Sequence, residues 1–302
     1  MTGPSGQWHA ADRRHLRVCR EAVWGECPAE PDWTAVPVWG DGFRLRAVNS
    51  RFSPDTFYGG WRRSVLVSHF VQVGGTLVTQ LRPETAAFVL GMALDRSPAG
   101  EAGSYALDFY TPAGPRRYLG AMAEAMRLEM RAADGEAVLA LRFRAKDERA
   151  NDELSESDFD YGALSPVPFR FAGAQISVDG AAVTGVERLF LEVRNNLAAG
   201  PSRLGRVAFL LAGRREVSVE LAVPDDGPAF LEAVRDGAAV SLEAVLCHPA
   251  GHRLTIALPL LQVESVRPEA APGTISLATV HMEAAVGETG DDVTYTLEPA
   301  AP

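Results

Sequence analysis

The residues of this chain best suited to chemistry are Cys247, His248 and His252, in the stretch CHPAGHRL. Thiolate and imidazole are zinc ligands, and the interval from His248 to His252 would put both rings on one face of a helix. Pro249 and Gly251 lie between them, and both residue types oppose a helix. The alternative is a hairpin turn, PAG, between two strands. Side chains alternate along a strand, so Cys247 and His248 would then point to opposite faces. This reading expects a turn and no metal. Other catalytic signatures are missing: the sequence has no P-loop, no GxSxG and no HExxH. GETGDD near the C-terminus follows no strand-to-helix turn and is no phosphate cradle. His69, in VLVSHFVQV, reads as a packed or interface histidine rather than a general base. The arginine pairs at 13–14, 62–63, 116–117 and 214–215 read as ion-pair or interface groups. No two carboxylates are placed in a common cleft by the pattern. The chain is therefore expected to be no enzyme and to hold no cofactor.

Bulk composition narrows the class further. The 302 residues are 47% apolar, enough for a sizeable core. Acidic residues outnumber basic ones, 39 to 29, for a formal net charge of −10. A surface of that sign repels nucleic acid rather than gripping it. Lys146 is the single lysine. Cys19, Cys27 and Cys247 form no CxxC and no disulfide framework. The first residues carry no apolar segment of signal-peptide length, and no run of about 18 apolar residues occurs, so no membrane partner is expected. These features read as a soluble protein of a reducing cytoplasm.

The elements that would position any site are mostly short alternating segments broken by Gly, Pro and Asp, which predict strands and tight turns. Two segments predict helices, PETAAFVLGMALD at 83–95 and PDDGPAFLEAVRDG at 224–237. Strand, loop, strand, strand, helix and a run of further strands occur in this order twice, roughly 140 residues apart. SVLVSHFVQVGGTLVTQL reads as strand, Gly-Gly turn, strand, and GRVAFLLAGRREVSVELAV likewise. The opening strands, 43–49 and 188–195, both end in asparagine. Pro83 matches Pro224, and PAG at 112–114 matches PAG at 249–251. On that alignment Tyr110-Thr111 stand where Cys247-His248 stand, so the turn recurs without its ligands. Positions 147–160 carry seven acidic residues and one arginine and read as a solvated connector. FRFAGAQISVDGAAV reads as a hairpin with Asp179-Gly180 in a type I′ turn. SRFSPDTFYGGWRR, at 50–63, is a long loop rich in aromatics, the composition of a contact surface.

Several stretches, in order, resemble the tail tube proteins (major tail proteins) of long-tailed bacteriophages of the siphophage type. REAVWGECPAEPDWTAVPV resembles that family's opening, with a Glu before an aromatic-Gly pair. GGTLVTQLRPETAAFVLGMAL resembles its strand leading into a Pro-started helix. RRYLGAMAEAMRLEMRAADGEAVLALRFRAKDE resembles the strand pair that follows, with Gly120 in place. VERLFLEVRNNL resembles a later strand ending in paired asparagines, here Asn195 and Asn196. The resemblance implies a mainly β fold with two similar β-sandwich or barrel-like tube domains in tandem, each with one flanking α-helix. The expected division is an N-terminal arm at 1–17, a first tube domain at 18–146, an acidic linker at 147–165 and a second tube domain at 166–302. It implies a structural subunit of the virion tail, assembled in the host cytoplasm, whose stacked rings conduct double-stranded DNA during ejection. Six tube domains per ring would be met by a homotrimer of pseudo-hexameric form. Implied partners are further copies, the tape measure protein and the tail terminator and distal tail proteins. Subunit or ring contacts are expected at Phe52, Phe57, Tyr58, Trp61, Arg62, Asn195, Asn196 and Arg203. The alternative is a two-domain β-sandwich that binds or cleaves carbohydrate.

Overall fold

The structure is a computed structural model that describes residues 14–39, 42–52, 67–96, 102–111, 114–133, 135–201, 207–224, 229–269, 277–286 and 291–300. Its first half runs β1 (His15–Arg20), β2 (Thr34–Val36), β3 (Phe43–Phe52), β4 (Val67–Gln80), α1 (Pro83–Leu94), β5 (Tyr105–Tyr110), β6 (Arg116–Arg131), β7 (Ala137–Ala145) and β8 (Asp147–Ala150). A 3-10 turn, Glu156–Asp158, follows. The second half runs β9 (Gln175–Val178), β10 (Ala181–Val183), β11 (Arg188–Arg194), β12 (Ala198–Pro201), β13 (Val207–Leu211), β14 (Glu216–Pro224), α2 (Ala229–Asp236), β15 (Ala239–Cys247), β16 (Arg253–Glu269), β17 (Leu277–Ala284) and β18 (Thr294–Glu298). The fold is mainly β, as the alternating segments predict.

Strand pairing repeats between the halves. The first pairs as β3–β4–β7–β6–β5–β1–β2, with β8 also on β6. The second pairs as β11–β14–β17–β16–β15–β9–β10, with β18 also on β16. All of these pairs are antiparallel. The irregularities repeat too. Against β7, β6 carries a bulge between Ala123 and Ala125, and against β17, β16 carries one between Val263 and Ser265. The extra residue is a glutamate in both, Glu124 and Glu264. A second break lies between Tyr105 and Leu107 in β5 and between Val240 and Leu242 in β15. Bulges re-aim a strand at one position, so matching bulges fix which residues correspond.

That register corrects two alignments and one turn read from sequence alone. Tyr110 pairs with His15 as Val245 pairs with Gln175, so Tyr110 corresponds to Val245 rather than to Cys247. The second hairpin is simply longer, and Cys247 and His248 lie in the extension. Pro224 pairs with Leu277 at the end of β14, the place Gln80 takes against Val138, so it does not match Pro83. Pro83 starts α1 as expected, while Pro224 ends β14 and α2 is described over Ala229–Asp236. Gly74-Gly75 is no turn: β4 runs through it unbroken. A Cβ at Gly74 would sit 2.4 Å from the Phe143 carbonyl oxygen, so the glycine serves close approach of β7.

The 147–160 run is also more than a connector. Its carboxylates are mostly exposed, but β8 pairs with β6, and Leu154 and Phe159 are buried. β1 begins at His15, so the strand crosses the boundary placed at residue 18. The hairpin at Asp179-Gly180 is as expected, with φ of 51° and 74° at the two residues. One apolar cluster runs through both halves, from Leu16 and Phe43 to Val280 and Met282. The first-half sheet curls over it, bringing Phe43 of β3 within 4.1 Å of Phe109 of β5, ring centre to ring centre.

Candidate assembly surface

The halves are joined strand to strand. β11 pairs with the second part of β6 in seven consecutive positions, from Arg188 opposite Arg131 to Arg194 opposite Ala125. Hydrogen bonds bracket the ladder, Ala132 N–H to Glu187 O and Asn195 N–H to Glu124 O, both 2.9 Å. In an antiparallel ladder, alternate residues turn their polar groups to the partner. The even residues of this part of β6 and the odd residues of β11 therefore face each other. On the solvent side Phe190 is covered by guanidinium groups of Arg127, Arg131 and Arg188, 4.6, 5.5 and 5.1 Å from its ring centre.

Asn195 anchors one end of the ladder. It is buried, and its side-chain N–H groups donate to Ala93 O at 3.0 Å and Ala123 O at 3.1 Å. Its Oδ1 accepts from Arg96 at 3.0 Å. Ala93 O belongs to the last turn of α1, where carbonyls lack intrahelical partners. The neighbouring Leu94 O accepts from Arg215 Nη1 at 2.7 Å, a cation placed where the helix dipole favours one. Arg215 also pairs with Asp292, with Nε 2.9 Å from Oδ2. Burial, and then the nearby Arg215 charge, lower the pKa of Arg96. The Tyr295 hydroxyl, 3.1 Å from both Ala87 O and Asp95 Oδ1, donates to one at a time. Three residues of the second half thus hold the helix of the first. That contact accounts for α1 being buried on nearly every side.

A two-stranded arm, β12 with β13, leaves the second half and packs on the first. Leu197, Val207 and Leu210 bury against Met122, with Trp24 alongside. Phe209 and Leu211 of the same arm remain exposed. Asn196, at φ 47°, is exposed and donates through Nδ2 to Arg214 O at 2.9 Å. Phe52 ends β3, opposite Val67 of β4. The expected contact residues Phe57, Tyr58, Trp61, Arg62 and Arg203 lie outside the described residues.

The motif residues of the N-terminal region come together. Glu21, buried, accepts from Gly25 N–H and Gly120 N–H, each at 2.8 Å. Trp24 Nε1 donates to Gly120 O at 3.2 Å, and the Lys146 ammonium lies 4.5 Å from the Trp24 ring centre. Gly120 has φ 64°, and a Cβ there would meet Trp24 and Lys146 at 2.8 Å, so no other residue fits. A second cluster, which sequence reasoning missed, surrounds the fully buried Asp108. It accepts from Arg17 Nη2 at 2.9 Å, Arg117 Nε at 2.7 Å and Asn151 Nδ2 at 3.2 Å. These donors are scattered over β1, β6 and the acidic run, so no local spacing announces them.

At the Cys/His turn, His248 is buried, Cys247 exposed and His252 half-buried. His248 Nδ1 accepts from Ala250 N–H at 3.1 Å, which leaves Nε2 to donate to Val167 O at 2.9 Å. His252 Nδ1 accepts from Ala300 N–H at 3.2 Å. The rings therefore serve the turn and the C-terminal segment. Among the described residues no group of three or more His, Cys, Asp or Glu could hold a metal ion, and no helix is long and apolar enough to cross a membrane.

A family model described as phage tail tube protein matches residues 11–298, nearly the whole chain. No curated protein matches it.

Proposed function

Because the chain belongs to the phage tail tube protein family, and is therefore a structural component of the virion tail that assembles with itself, we propose that each copy carries two tube domains and that three copies close one ring. Rings stack into the tube of a long, siphovirus-type tail, and double-stranded DNA passes through it at ejection. The protein has no catalytic role on this reading. The observation that carries it is the repetition of strand pairing, bulges included, in a chain whose two halves already join edge to edge. Two fused domains per copy reach a six-domain wall with three copies, under true three-fold and pseudo-six-fold symmetry.

The first domain takes in β1 to β8 and the second β9 to β18, with the acidic stretch after β8 folded on the first domain rather than stretched between the two. The β12–β13 arm leans on the preceding domain, and the aromatic segment 50–63, whose first three residues end β3 rather than belonging to a loop, is its counterpart. Phe52, Phe57, Tyr58, Trp61, Arg62 and Arg203 then contact the neighbouring copy or ring. The wall facing DNA is the solvent side of the long sheet. Many of its arginines are in ion pairs: Arg142 and Arg144 with Glu124, Arg127 and Arg131 with Glu129, Arg188 with Glu220 and Arg194 with Glu192. Guanidinium groups held this way have less to offer a phosphate, so DNA slides rather than sticks. Assembly takes place in the host cytoplasm, with the tape measure protein inside and the terminator and distal tail proteins at the ends.

Electron microscopy of the purified protein tests the proposal. Rings or tubes with alternating protrusions, three-fold beneath a six-fold outline, are expected. Trp61→Ala should impair tube growth by tenfold or more in rate, since a Trp at an interface centre contributes about 2 kcal/mol or more, and should leave the unfolding transition of the monomer unchanged. Protein that stays monomeric at tube-forming concentrations would contradict the proposal, as would rings of six whole chains.

A further inference from the structure

We infer that the open edge of β16 receives β3 of a second copy, antiparallel, in the register that β6 and β11 use inside one chain. The inference rests on the ring reading and adds to it which edges meet and residue by residue how. Both edges are visible. Among the described residues β3 pairs only with β4, and the second part of β16, from Glu264 on, has no strand on the edge where β6 carries β11.

The register follows from the bulges. Ala125 and Ser265 stand just past the extra glutamates, opposite Arg142 and His281. Arg142 pairs with Thr76 and His281 with Glu220, and these pair in turn with Arg44 and Phe190. Arg44 therefore corresponds to Phe190, and five residues on Asn49 corresponds to Asn195. Carrying the inner ladder over puts Asn49 opposite Glu264, Ala47 opposite Val266, Arg46 opposite Arg267, Leu45 opposite Pro268 and Arg44 opposite Glu269. The bulge at Glu264 sets the phase independently. Before it, Leu260 O accepts from Ala285 N–H of the strand on the β17 side. One extra residue reverses the alternation, so Val266 and Pro268 turn their polar groups away from β17, to the open edge. On β3, Leu45, Ala47 and Asn49 do the same, as Leu191, Val193 and Asn195 do on β11.

Pro268 stands where β6 has Leu128. Its missing N–H costs β17 nothing and removes one hydrogen bond from the junction between copies. A proline on an edge discourages indiscriminate pairing, so a free copy stays soluble until a matching β3 offers the rest of the ladder. The register also sets an arginine, Arg44, opposite a glutamate, Glu269, where the inner junction has Phe190 opposite Glu129. Opposite charges across a ladder favour pairing and like charges, here Arg46 opposite Arg267, oppose it, so the bulges rather than the charges set this register.

The test is disulfide trapping in assembled full-length protein with Cys27 and Cys247 replaced by serine. Arg46 and Arg267 fall at a non-hydrogen-bonded pair, where Cα atoms lie about 4.5 Å apart, inside the disulfide range. Arg46→Cys with Arg267→Cys, mildly oxidised, should give a covalent trimer on a non-reducing gel and no longer ladder. Glu192→Cys with Arg127→Cys, the equivalent inner pair, should close within single chains. Arg44→Cys with Arg267→Cys, two residues out of register, should trap at least tenfold less. Hydrogen exchange on wild-type protein gives a second reading free of substitutions: amides of Leu45, Ala47 and Val266 should gain protection on assembly. Rings seen by microscopy without the 46–267 trap and without that protection overturn this inference and leave the ring reading standing. Wild-type protein that forms no rings overturns both.

Discussion

The junction inside the chain and the edges at its two ends are built from equivalent strands, yet they are finished differently. Inside, Phe190 lies under three arginines, Leu128 keeps its N–H in the ladder, and α1 is buried between the halves. At the edges the same positions hold Arg44 and Pro268, and the helix is α2, whose Glu232 and Arg235 are exposed. Arg215, which seals the end of α1, corresponds to the exposed Val71. The difference follows from what each contact must survive. Fusion holds the inner partners together from the moment the chain folds, so that contact can be finished as core. The outer surfaces meet water first, and apolar patches or long bare edges there would aggregate. They keep charge and proline, and the contact inferred between them is correspondingly weaker.

The largest expected effect breaks the comparison at a cluster that only one half has. Asp108 is fully buried under Arg17, Arg117 and Asn151, whereas its counterpart Glu243 is exposed and faces Ser177 and Ala257 in the ladder. Removing one partner of a buried ion pair typically costs about 3–5 kcal/mol. Asp108→Ala should lose stability of that order in chemical denaturation, and Glu243→Ala should change it by less than about 0.5 kcal/mol. Equal effects would mean that the halves are not finished differently.

Next come the paired asparagines. Asn195→Ala strands Arg96 and the carbonyls of Ala93 and Ala123, and should destabilise the folded chain by about 2–3 kcal/mol. Asn49→Ala should leave monomer stability within about 0.5 kcal/mol of wild type and slow assembly. A loss of monomer stability equal to that of Asn195→Ala would place Asn49 inside the folded unit instead.

A smaller effect comes with alkaline pH. Burial pushes Tyr105 and Tyr161 up to about 12, and burial with the nearby Asp95 carboxylate raises Tyr295. A folded-state pKa above the unfolded value of about 10 stabilises the fold fully below pH 10. The contribution disappears as pH climbs to about 12. Unfolding followed against pH should begin above 10, and Tyr295→Phe should move that onset upward, since phenylalanine has no proton to lose. An unmoved onset would show that Tyr295 ionises without opening its contact with α1.

Much of this was legible in the sequence, and the failures have physical causes. Alternation of apolar and polar residues gave the strands, and Pro83 with Glu84 gave the start of α1. Glu21, Trp24, Gly25 and Gly120 stood out by family resemblance, and their shared hydrogen bonds explain the grouping. Gly74-Gly75 misled because a glycine pair that admits a neighbouring backbone looks like one that turns. The acidic run misled because Leu154 and Phe159, its two buried anchors, are sparse among carboxylates. The β6–β11 junction was invisible, since both strands alternate as an edge strand would. Nothing local says which edge is already taken.

The central claim is that two equivalent halves per chain close in threes. Native mass spectrometry of a single ring tests it most directly. The account predicts a mass of three chains; a ring of six chains would contradict it.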